Sequence, residues 1–418
     1  MQGRSPSTRR LGVAIVGLGG AVATTAVAGV ALLRQGLIGT EGLPLAGLTA
    51  ELVGGLVAYE QIVFGGWDLC GDTVWQAAIT HNVLPAAQLL PIQATLEALQ
   101  PWQAVGNAQF CRNVGGEHRI IAPDHRGMVE IIHGQLQHFR HGQGLDNIVV
   151  INLASTERSN ASSLPIYRTI EAFEQALDDN HPDIGPAMLY AYAAITAGAP
   201  YINFTPSLGA DVPALVALAE QNGVPVGGKD GKTGQTMMKT VIAPALRSRA
   251  LRVDGWFSTN ILGNRDGEAL ADQASLQSKL NTKASVLDQI LGYHVESHLV
   301  DIRYYKPRGD NKEAWDNIDV TGFLGQPMQI KINFLCRDSI LAAPLVIELA
   351  RLQDWAQQQG SGGVQEHLGA FFKLPQTADP ALQPEHALHV QEQRLYQWLA
   401  MTHAEAETDD SLVHGHGA

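Results

Sequence analysis

The pattern of apolar and polar residues predicts alternating strands and helices over the first part of the chain. Up to about residue 251, short apolar runs rich in β-branched residues alternate with stretches of helical length. Strands are predicted at 13–16, 61–68, 147–155 and 199–207 and from 224, with helices around 187–197 and 212–221. This alternation is typical of a parallel sheet whose strands are joined by crossover helices.

From about residue 252 the predicted strands become longer. Two of them are the stretches "HVESHLVDIRYY" and "PMQIKINFL". In the second, the apolar Met328, Ile330, Ile332 and Phe334 alternate with polar residues. Strict alternation is typical of a sheet with one buried face, so this part of the chain is expected to form a separate α+β unit.

An uncharged stretch, residues 11–33, follows Arg9 and Arg10 and has two interpretations. Its length suits a signal peptide or a membrane span. Its internal pattern instead favours a strand, a turn with three glycines (Gly17, Gly19 and Gly20) and an Ala-rich helix, which together open a dinucleotide-binding fold. A turn without side chains lets a pyrophosphate approach the backbone at the helix N-terminus. We favour this second interpretation, although G-x-G-G departs from the usual G-x-G-x-x-G.

A dinucleotide-binding fold also needs an acidic residue for the ribose, after the second strand. Glu41 lies at the usual distance but in the loop-like "GTEGLP". Asp68 lies later but ends the strand "QIVFGGWD". We therefore favour Asp68 and expect an inserted segment between the first two strands.

These patterns predict an α/β chain with a Rossmann-type dinucleotide-binding domain at 1–251 and an inserted α+β domain at 252–340. Residues 341–418 then return to the first domain. A helix is predicted at "SILAAPLVIELARLQDWAQ", with Asp338 or Ser339 as its cap. The end of the chain, from about Thr408, is expected to be a mobile tail because it has little to bury.

Polar residues follow several predicted strands. Ligands of parallel sheets bind beyond the carboxyl ends of the strands, so these residues are candidates to line a site. The alternative is that each is an ordinary turn or cap residue. The candidates are Ser155, Thr156, Asn203, Thr205, Ser207 and Asp230.

Charge and cysteine content exclude several classes of function. The chain has 418 residues, 45% of them hydrophobic, and a net charge of −13. It therefore has a large core and no general attraction to nucleic acid or to anionic membranes. Its three cysteines, Cys70, Cys111 and Cys336, contain no CxxC pair, which argues against a disulfide framework and a zinc site. A reducing cytoplasm fits best.

The stretch "SKLNTKAS" places Lys279 and Lys283 four residues apart in a predicted helix. Like charges at this spacing repel by a few tenths of a kcal/mol on an exposed face. Spacing alone favours a solvated helix face. Both lysines, however, lie beside the apolar stripe of Leu276, Leu280 and Leu287, so they could point inward at a junction between domains.

Nine motifs in this order resemble the myo-inositol-1-phosphate synthase family, over about residues 11–375. They are "GLGGAVATT", "GGWD", "STERS", "GGKDGKTGQT", "NILGNRDGEAL", "SKLNTKASVLDQIL", "KPRGDNKEAWDN", "CRDSILAAPLVIEL" and "FFKLP". The resemblance implies an enzyme that converts D-glucose 6-phosphate to 1D-myo-inositol 3-phosphate with tightly held NAD. It also implies catalysis in the inserted domain, a homotetramer assembled largely through that domain, and, in some members, a divalent or monovalent cation.

The resemblance further assigns site residues by position in these motifs. It implies a lysine cluster of Lys279, Lys283, Lys312 and Lys373, together with Asp230, Asn260, Asn264, Asp266, Asp310 and Asp338. For the cofactor it implies Gly17, Gly19, Gly20, Ala21, Asp68, Ser155, Thr156, Asp230, Thr233, Asp266 and Asp338. Asp338 has the alternative of only capping its helix. Which metal, if any, the chain binds is left open.

Two positions depart from the family pattern. Ala21 stands where Asn often follows the glycine turn. Lys229 replaces the first Asp of the common "GDD", and Asp230 retains the second. Because both positions lie beside the expected cofactor and substrate contacts, a related NAD-dependent cyclase or dehydrogenase of another sugar phosphate is the alternative. A simple dehydrogenase would not need a lysine cluster, and a non-catalytic relative would be expected to lose some of its lysines.

Overall fold

The strands form two sheets in the computed structural model, which describes residues 8–111, 115–158, 160–263 and 286–414. The strands are β1 Leu11–Val16, β2 Ile62–Asp68, β3 Trp102–Gln103, β4 Asn147–Asn152, β5 Tyr201–Asn203, β6 Pro225–Gly228, β7 Arg252–Leu262, β8 Ser297–Tyr304, β9 Asn311–Thr321, β10 Pro327–Arg337 and β11 Gly363–Val364. Within the described residues, the first sheet has seven strands in the order β11-β6-β5-β4-β1-β2-β3, and each neighbouring pair is parallel.

The α-helices of the described chain connect these strands and cover the sheets. They are α1 Ala21–Arg34, α2 Ala50–Val53, α3 Val74–His81, α4 Ala86–Leu89, α5 Gln93–Glu97, α6 His125–Gln143, α7 Ile170–Asp178, α8 Pro186–Thr196, α9 Pro213–Gln221, α10 Gly234–Ser248, α11 Asp338–Gln358 and α12 Leu388–His414. Residues 286–291 are also helical.

Both faces of the seven-stranded sheet are covered, which is why β1 is apolar along its whole length. Alternate residues of a strand point to opposite faces. Val13 and Ile15 accordingly pack in the apolar cluster that contains α1 and α11, whereas Ala14 and Val16 pack in the cluster that contains α6 and α8.

The second sheet is mixed and has the order β10-β9-β7-β8. β7 and β8 are parallel, and the other two pairs are antiparallel. One face packs around Trp256 against α10 and the helical residues 286–291. On the opposite face Leu299, Trp315 and Leu335 are exposed. α11 then returns the chain to the first sheet, where β11 pairs with β6.

The predicted α/β fold class is confirmed, and the predicted strands and helices lie within a few residues of the observed ones. The uncharged residues 11–33 form β1, the glycine turn and α1, with the inserted segment and α2 following before β2. No helix in the described part of the chain is long and apolar enough to span a membrane. The division into domains at 252 and 340 stays a prediction.

The start of α11 and the end of α12 differ from expectation. The helix α11 begins at Asp338 with Arg337 at its N-cap, and no side chain caps it. The prediction of a cap by Asp338 or Ser339 was wrong, because both side chains have other partners: Asp338 binds Lys312 and Ser339 binds Asp310. α12 runs to His414, so the helix continues past Thr408, where a tail was expected.

Candidate functional site

A cavity of about 530 Å³ lies beyond the carboxyl ends of the parallel strands. The first sheet contributes the glycine turn and the residues that follow β2, β4, β5 and β6. The second sheet contributes Asn260, Ile302 and Lys312, and α11 contributes its first turn. The cavity therefore lies where the two sheets meet, which is the usual place for a ligand in an open parallel sheet.

The glycine turn needs residues without side chains. The backbone N–H groups of Gly17 and Leu18 donate to the Trp67 carbonyl over 2.8 and 2.9 Å, and Gly17 has a φ of +90°. A Cβ on Gly19 would lie 3.0 Å from Asp68 Oδ2, and one on Gly20 would lie 3.1 Å from the Gly17 carbonyl oxygen. An added Cβ at either position would force the turn or the Asp68 side chain to shift by a few tenths of an ångström.

The turn leads directly into α1, whose N-terminus faces the cavity. Gly20 is the N-cap, no side chain caps the helix, and Ala21 and Val22 line the cavity. The first N–H groups of a helix without a side-chain cap suit a phosphate group. The predicted Gly17, Gly19, Gly20 and Ala21 therefore fit the pyrophosphate of a dinucleotide.

Asp68 lies at the end of β2 and lines the cavity beside the turn. Its Oδ2 accepts from the Gly19 N–H over 2.8 Å, and its Oδ1 accepts from the Cys70 N–H over 2.9 Å. Each carboxylate oxygen retains a lone pair for a ribose hydroxyl. Glu41, the alternative, is exposed and is not among the residues that line the cavity.

His81 is a residue of the site that sequence reasoning missed. It ends α3, and its Nε2 lies 2.8 Å from the Gly19 carbonyl oxygen. It also lines the cavity. No motif in the sequence marks it, because its position depends on how α3 packs beside the turn.

Of the polar residues that follow β4 and β5, Ser155, Thr156 and Thr205 line the cavity. Asn203 and Ser207 do not line it. The Asn203 amide accepts from Thr205 and donates to the Ser207 carbonyl over 2.7 Å, so these residues shape the turn after β5. The turn-residue alternative therefore holds for Asn203 and Ser207.

Glu157 is a second residue that sequence reasoning missed, although it lies in the motif "STERS". Burial raises the pKa of its carboxyl to about 8, although a hydrogen bond from the Ala187 N–H at the start of α8 opposes the rise. Glu157 is among the residues that line the cavity. A carboxyl with a raised pKa in a cleft is characteristic of functional sites.

Two lysine–aspartate pairs lie together at the cavity. Lys373 Nζ binds Asp230 Oδ1 over 2.7 Å, and Lys312 Nζ binds Asp338 Oδ2 over 2.9 Å. Thr233 Oγ1 donates to the other oxygen of Asp338 over 3.1 Å. All five residues line the cavity.

The Asp338 carboxylate is strongly stabilised in its charged form. Burial alone would raise its pKa, but the positive charges of Lys312 and Lys373 and the Thr233 hydrogen bond lower it to about 2. Asp338 is therefore more than a helix-terminal residue, since it joins the second sheet to the loop that follows β6.

Asp310 lies one layer behind the cavity. Its Oδ1 accepts from Ser339 Oγ over 2.7 Å, and Ser339 itself lines the cavity. Burial raises the Asp310 pKa, although Ser339 and Arg337 oppose the rise. Asp310 is not among the lining residues, so the structure does not bring this predicted catalytic residue to the cavity surface.

Four predicted catalytic residues lie outside the described residues: Asn264, Asp266, Lys279 and Lys283. Of the ten predicted catalytic residues, Lys312, Lys373, Asp230, Asn260 and Asp338 line the cavity.

Two other lysines of the "GGKDGKTGQT" motif are not among the lining residues. Lys229 Nζ forms an ion pair of 2.6 Å with Asp211, and both side chains are mostly buried. Lys232 binds Gln391 of α12, and burial lowers its pKa to about 7. The departure at Lys229 therefore creates an internal ion pair and does not add a charge to the cavity.

The described residues contain no group of His, Cys, Asp and Glu side chains that could hold a metal ion. The three cysteines are free.

Comparison with known proteins relates the chain to one family. A family model described as "Myo-inositol-1-phosphate synthase", NAD_binding_5, matches residues 38–400. Inositol-3-phosphate synthase 1 of Bacteroides thetaiotaomicron is 42% identical and covers 97% of this chain and 98% of its own length. The inositol-3-phosphate synthase of Dictyostelium discoideum is 31% identical and covers 82% of this chain and 74% of its own.

Two solved structures have similar folds. An inositol-3-phosphate synthase from Caenorhabditis elegans has a TM-score of 0.87 at 24% identity, covering 94% of this chain and 86% of its own. A myo-inositol-1-phosphate synthase-related protein from Thermotoga maritima has a TM-score of 0.78 at 26% identity, covering 94% of this chain and 98% of its own.

Proposed function

The chain belongs to the myo-inositol-1-phosphate synthase family, and from this premise we propose that it converts D-glucose 6-phosphate to 1D-myo-inositol 3-phosphate with NAD. One observation carries the proposal. A dinucleotide-type glycine turn and two lysine–aspartate pairs line the same cavity.

The residues of the first sheet fit NAD. The turn from Gly17 to Ala21 would hold the pyrophosphate, Asp68 would bind a ribose, and Ser155 and Thr156 would lie along the cofactor. When bound, NAD supplies oxidation of C5 of the sugar and later reduction of the same carbon, with no net redox change. Asp230, Thr233 and Asp338 would lie at the nicotinamide end.

The lysine–aspartate pairs supply the charge that the chemistry needs. A ketone at C5 acidifies the C6 protons, and loss of one lets C6 attack the C1 aldehyde and close the ring. Negative charge develops on oxygen in both steps, and the substrate phosphate adds about two more charges. Cations held in place by Asp230 and Asp338 stabilise such charges without reorganisation.

Lys279 and Lys283 are proposed to complete this cluster, by their positions in the family motifs, together with Asn264 and Asp266. Asp310 is proposed to act from behind the cavity through Ser339. A divalent or monovalent cation remains part of the proposal only through the family resemblance.

The proposal is tested by the product. The protein is incubated with glucose 6-phosphate and NAD at one tenth of the substrate concentration, and the product is identified by NMR. Inositol phosphate in excess of the added NAD supports the proposal. NADH formed in proportion to product would identify a dehydrogenase instead, and turnover only with another sugar phosphate would identify a different cyclase.

We also propose a homotetramer assembled largely through the region 252–340. The apolar residues on the outer face of the second sheet support it, since Leu299 is 58% and Leu335 61% exposed. At the tip between β9 and β10, Phe323 is 90% exposed. Clustered exposed apolar residues commonly mark protein interfaces.

A cytoplasmic location is the remaining proposal. It is supported by the three unpaired thiols, of which Cys70 is exposed. Exposed free thiols suit a reducing compartment.

A further inference from the structure

A buried chain of polar side chains leads from Asp316 to Asn260. Asp316 lies on β9, Gln235 in the first turn of α10, and Asn260 on β7. These side chains are almost completely buried, and among them Asn260 lines the cavity. Gln235 binds Asp316 on one side and Asn260 on the other.

The donors around Asp316 define the direction of every hydrogen bond in this chain. Trp256 Nε1 donates to Asp316 Oδ1 over 2.7 Å, and Ser258 Oγ donates to the same oxygen over 2.5 Å. An indole N–H can only donate, and a carboxylate can only accept. Asp316 Oδ2 is therefore an acceptor for Gln235.

The nitrogen of the Gln235 amide must consequently face Asp316. Gln235 Nε2 lies 3.2 Å from Asp316 Oδ2 and also 3.3 and 3.4 Å from the carbonyl oxygens of Trp315 and Thr259. All three neighbours are acceptors, so the opposite orientation would place the amide oxygen against them. The Gln235 oxygen is thereby directed to Asn260, which donates to it through Nδ2.

The orientation of Asn260 follows from this chain. Because Nδ2 is bound to Gln235, the free side of the Asn260 amide is its carbonyl oxygen. This oxygen has no hydrogen-bond partner among the described residues. A buried acceptor without a partner is costly, so it favours a ligand that brings a donor.

We propose that Asp316, acting through Gln235, is a positioning residue that holds the Asn260 carbonyl oxygen as the acceptor for a hydroxyl group of the sugar phosphate. The inference rests on the proposed function, because it requires a hydroxylated substrate in the cavity. It assigns to β9 and α10 a role in substrate orientation.

The substitution Asp316→Asn reverses the direction of the hydrogen bonds that run from residue 316 through Gln235 to Asn260. Trp256 and Ser258 still donate to the remaining oxygen, so the new amide nitrogen faces Gln235 Nε2 and two donors oppose each other. Relief requires the Gln235 amide to rotate, which leaves Asn260 with its nitrogen on the free side. We expect kcat/KM to fall about tenfold to a hundredfold, as for loss of a substrate hydrogen bond, with NAD affinity unchanged.

A double-mutant cycle with Asn260→Ala separates positioning from mere structural support. If Asp316 acts through Asn260, the double variant Asp316→Asn/Asn260→Ala has the same kcat/KM as Asn260→Ala alone. If the decreases in kcat/KM of the two single variants instead multiply in the double variant, the inference is overturned. Ser258→Ala is the matched control: it removes one donor to Asp316 without reversing the chain, and near-normal kcat/KM is expected.

Gln235→Met is the second variant, for the case in which Asp316→Asn does not fold. It removes the link to Asn260 but leaves Asp316 with its two other donors. The same loss, and the same lack of a further loss with Asn260→Ala, is expected. Normal turnover in Asn260→Ala would overturn the inference but leave the proposed function intact, because product still forms. Absence of any inositol phosphate from the unsubstituted protein would instead contradict the proposed function.

Discussion

Lys373 and Lys312 each hold a carboxylate at the cavity, Asp230 and Asp338 respectively. Each pair joins distant parts of the chain: Lys373 follows β11 and Asp230 follows β6, whereas Lys312 is the second residue of β9 and Asp338 begins α11. The pairs therefore fix the position of the lysine side chains before substrate binds. Such preorganisation is what makes a cation effective toward a developing oxyanion.

Lys373→Met tests this role at the residue scale. Met retains the apolar stem but not the charge, so kcat is expected to fall about 100-fold, as for loss of a preorganised oxyanion group. NAD affinity is expected to change little. Lys306→Met is the control, because Lys306 is exposed and is not among the lining residues. Equal activity of the two variants would contradict the assignment of Lys373.

Glu157→Gln is expected to change the pH dependence of stability. The folded-state pKa of Glu157 is raised from about 4.5 to about 8, chiefly by burial. The contribution of Glu157 to the free energy of unfolding is therefore fully present below about pH 4.5 and is lost as the pH rises to about 8. The free energy of unfolding changes by on the order of 3–5 kcal/mol over this range. The amide in the Glu157→Gln variant does not titrate, so the variant does not lose this stability as the pH rises.

Urea unfolding of the two proteins at pH 5 and pH 8.5 measures this difference. The Glu157→Gln variant should be the more stable protein at pH 8.5, with a smaller difference at pH 5. A difference that is the same at both pH values would show that Glu157 titrates normally.

At the scale of single elements, the sequence was sufficient to predict a site residue wherever its position follows from the strand that it directly follows or ends. The glycine turn and Asp68 are adjacent because a turn after β1 and the end of β2 are neighbours in a parallel sheet. His81, Glu157 and the partners of Lys229 were not predictable in this way. Each depends on packing between segments far apart in the chain. A motif also does not show which of its side chains reaches the cavity surface, and Asp310 is not among the residues that line the cavity.

Gly19→Ala tests the glycine turn. The added Cβ would lie 3.0 Å from Asp68 Oδ2, so the turn or Asp68 must move. NAD affinity measured by calorimetry is expected to fall about tenfold or more, because a loss of about 1.4 kcal/mol of binding free energy lowers affinity tenfold.

Gly29→Ala in α1 is the matched control for this turn. A Cβ at Gly29 has no atom of the described residues within 4 Å. The helix should become more stable by up to about 1 kcal/mol, with unchanged NAD affinity. Similar affinities for the Gly19 and Gly29 variants would mean that the pyrophosphate does not bind at the turn.

At the scale of the whole molecule, the fold class could be predicted from the alternation of apolar runs, and a second sheet with one buried face from its longer alternating strands. The mixed strand order of that sheet was not predicted. What the pattern could not show is that the inner face of the second sheet meets the first sheet at the cavity. In the register of β9 and β10, Lys312 and Cys336 are neighbours, which places Asp338 beside Lys312 at the start of α11. This junction depends on strand pairing over long separations, which local patterns do not encode.

The outer face of the second sheet makes the proposed assembly testable. Leu335→Lys places a charge on this face and is expected to shift a tetramer to smaller species, because a buried unpaired charge is costly. Light scattering after size-exclusion chromatography measures the mass. Leu382→Lys is the control, because Leu382 is 59% exposed and lies outside this sheet. A monomer in the unsubstituted protein at micromolar concentration would contradict the proposal.

The most direct test of the central claim uses glucose 6-phosphate carrying deuterium at C5, with NAD present in a small fraction of the substrate amount. If oxidation, ring closure and reduction all occur in this cavity, the hydrogen taken from C5 returns to the same carbon. NMR should then show inositol phosphate that retains the deuterium at that carbon, with no net rise in nicotinamide absorbance. Loss of the label from the product, or deuterated NADH accumulating in solution, would contradict the account.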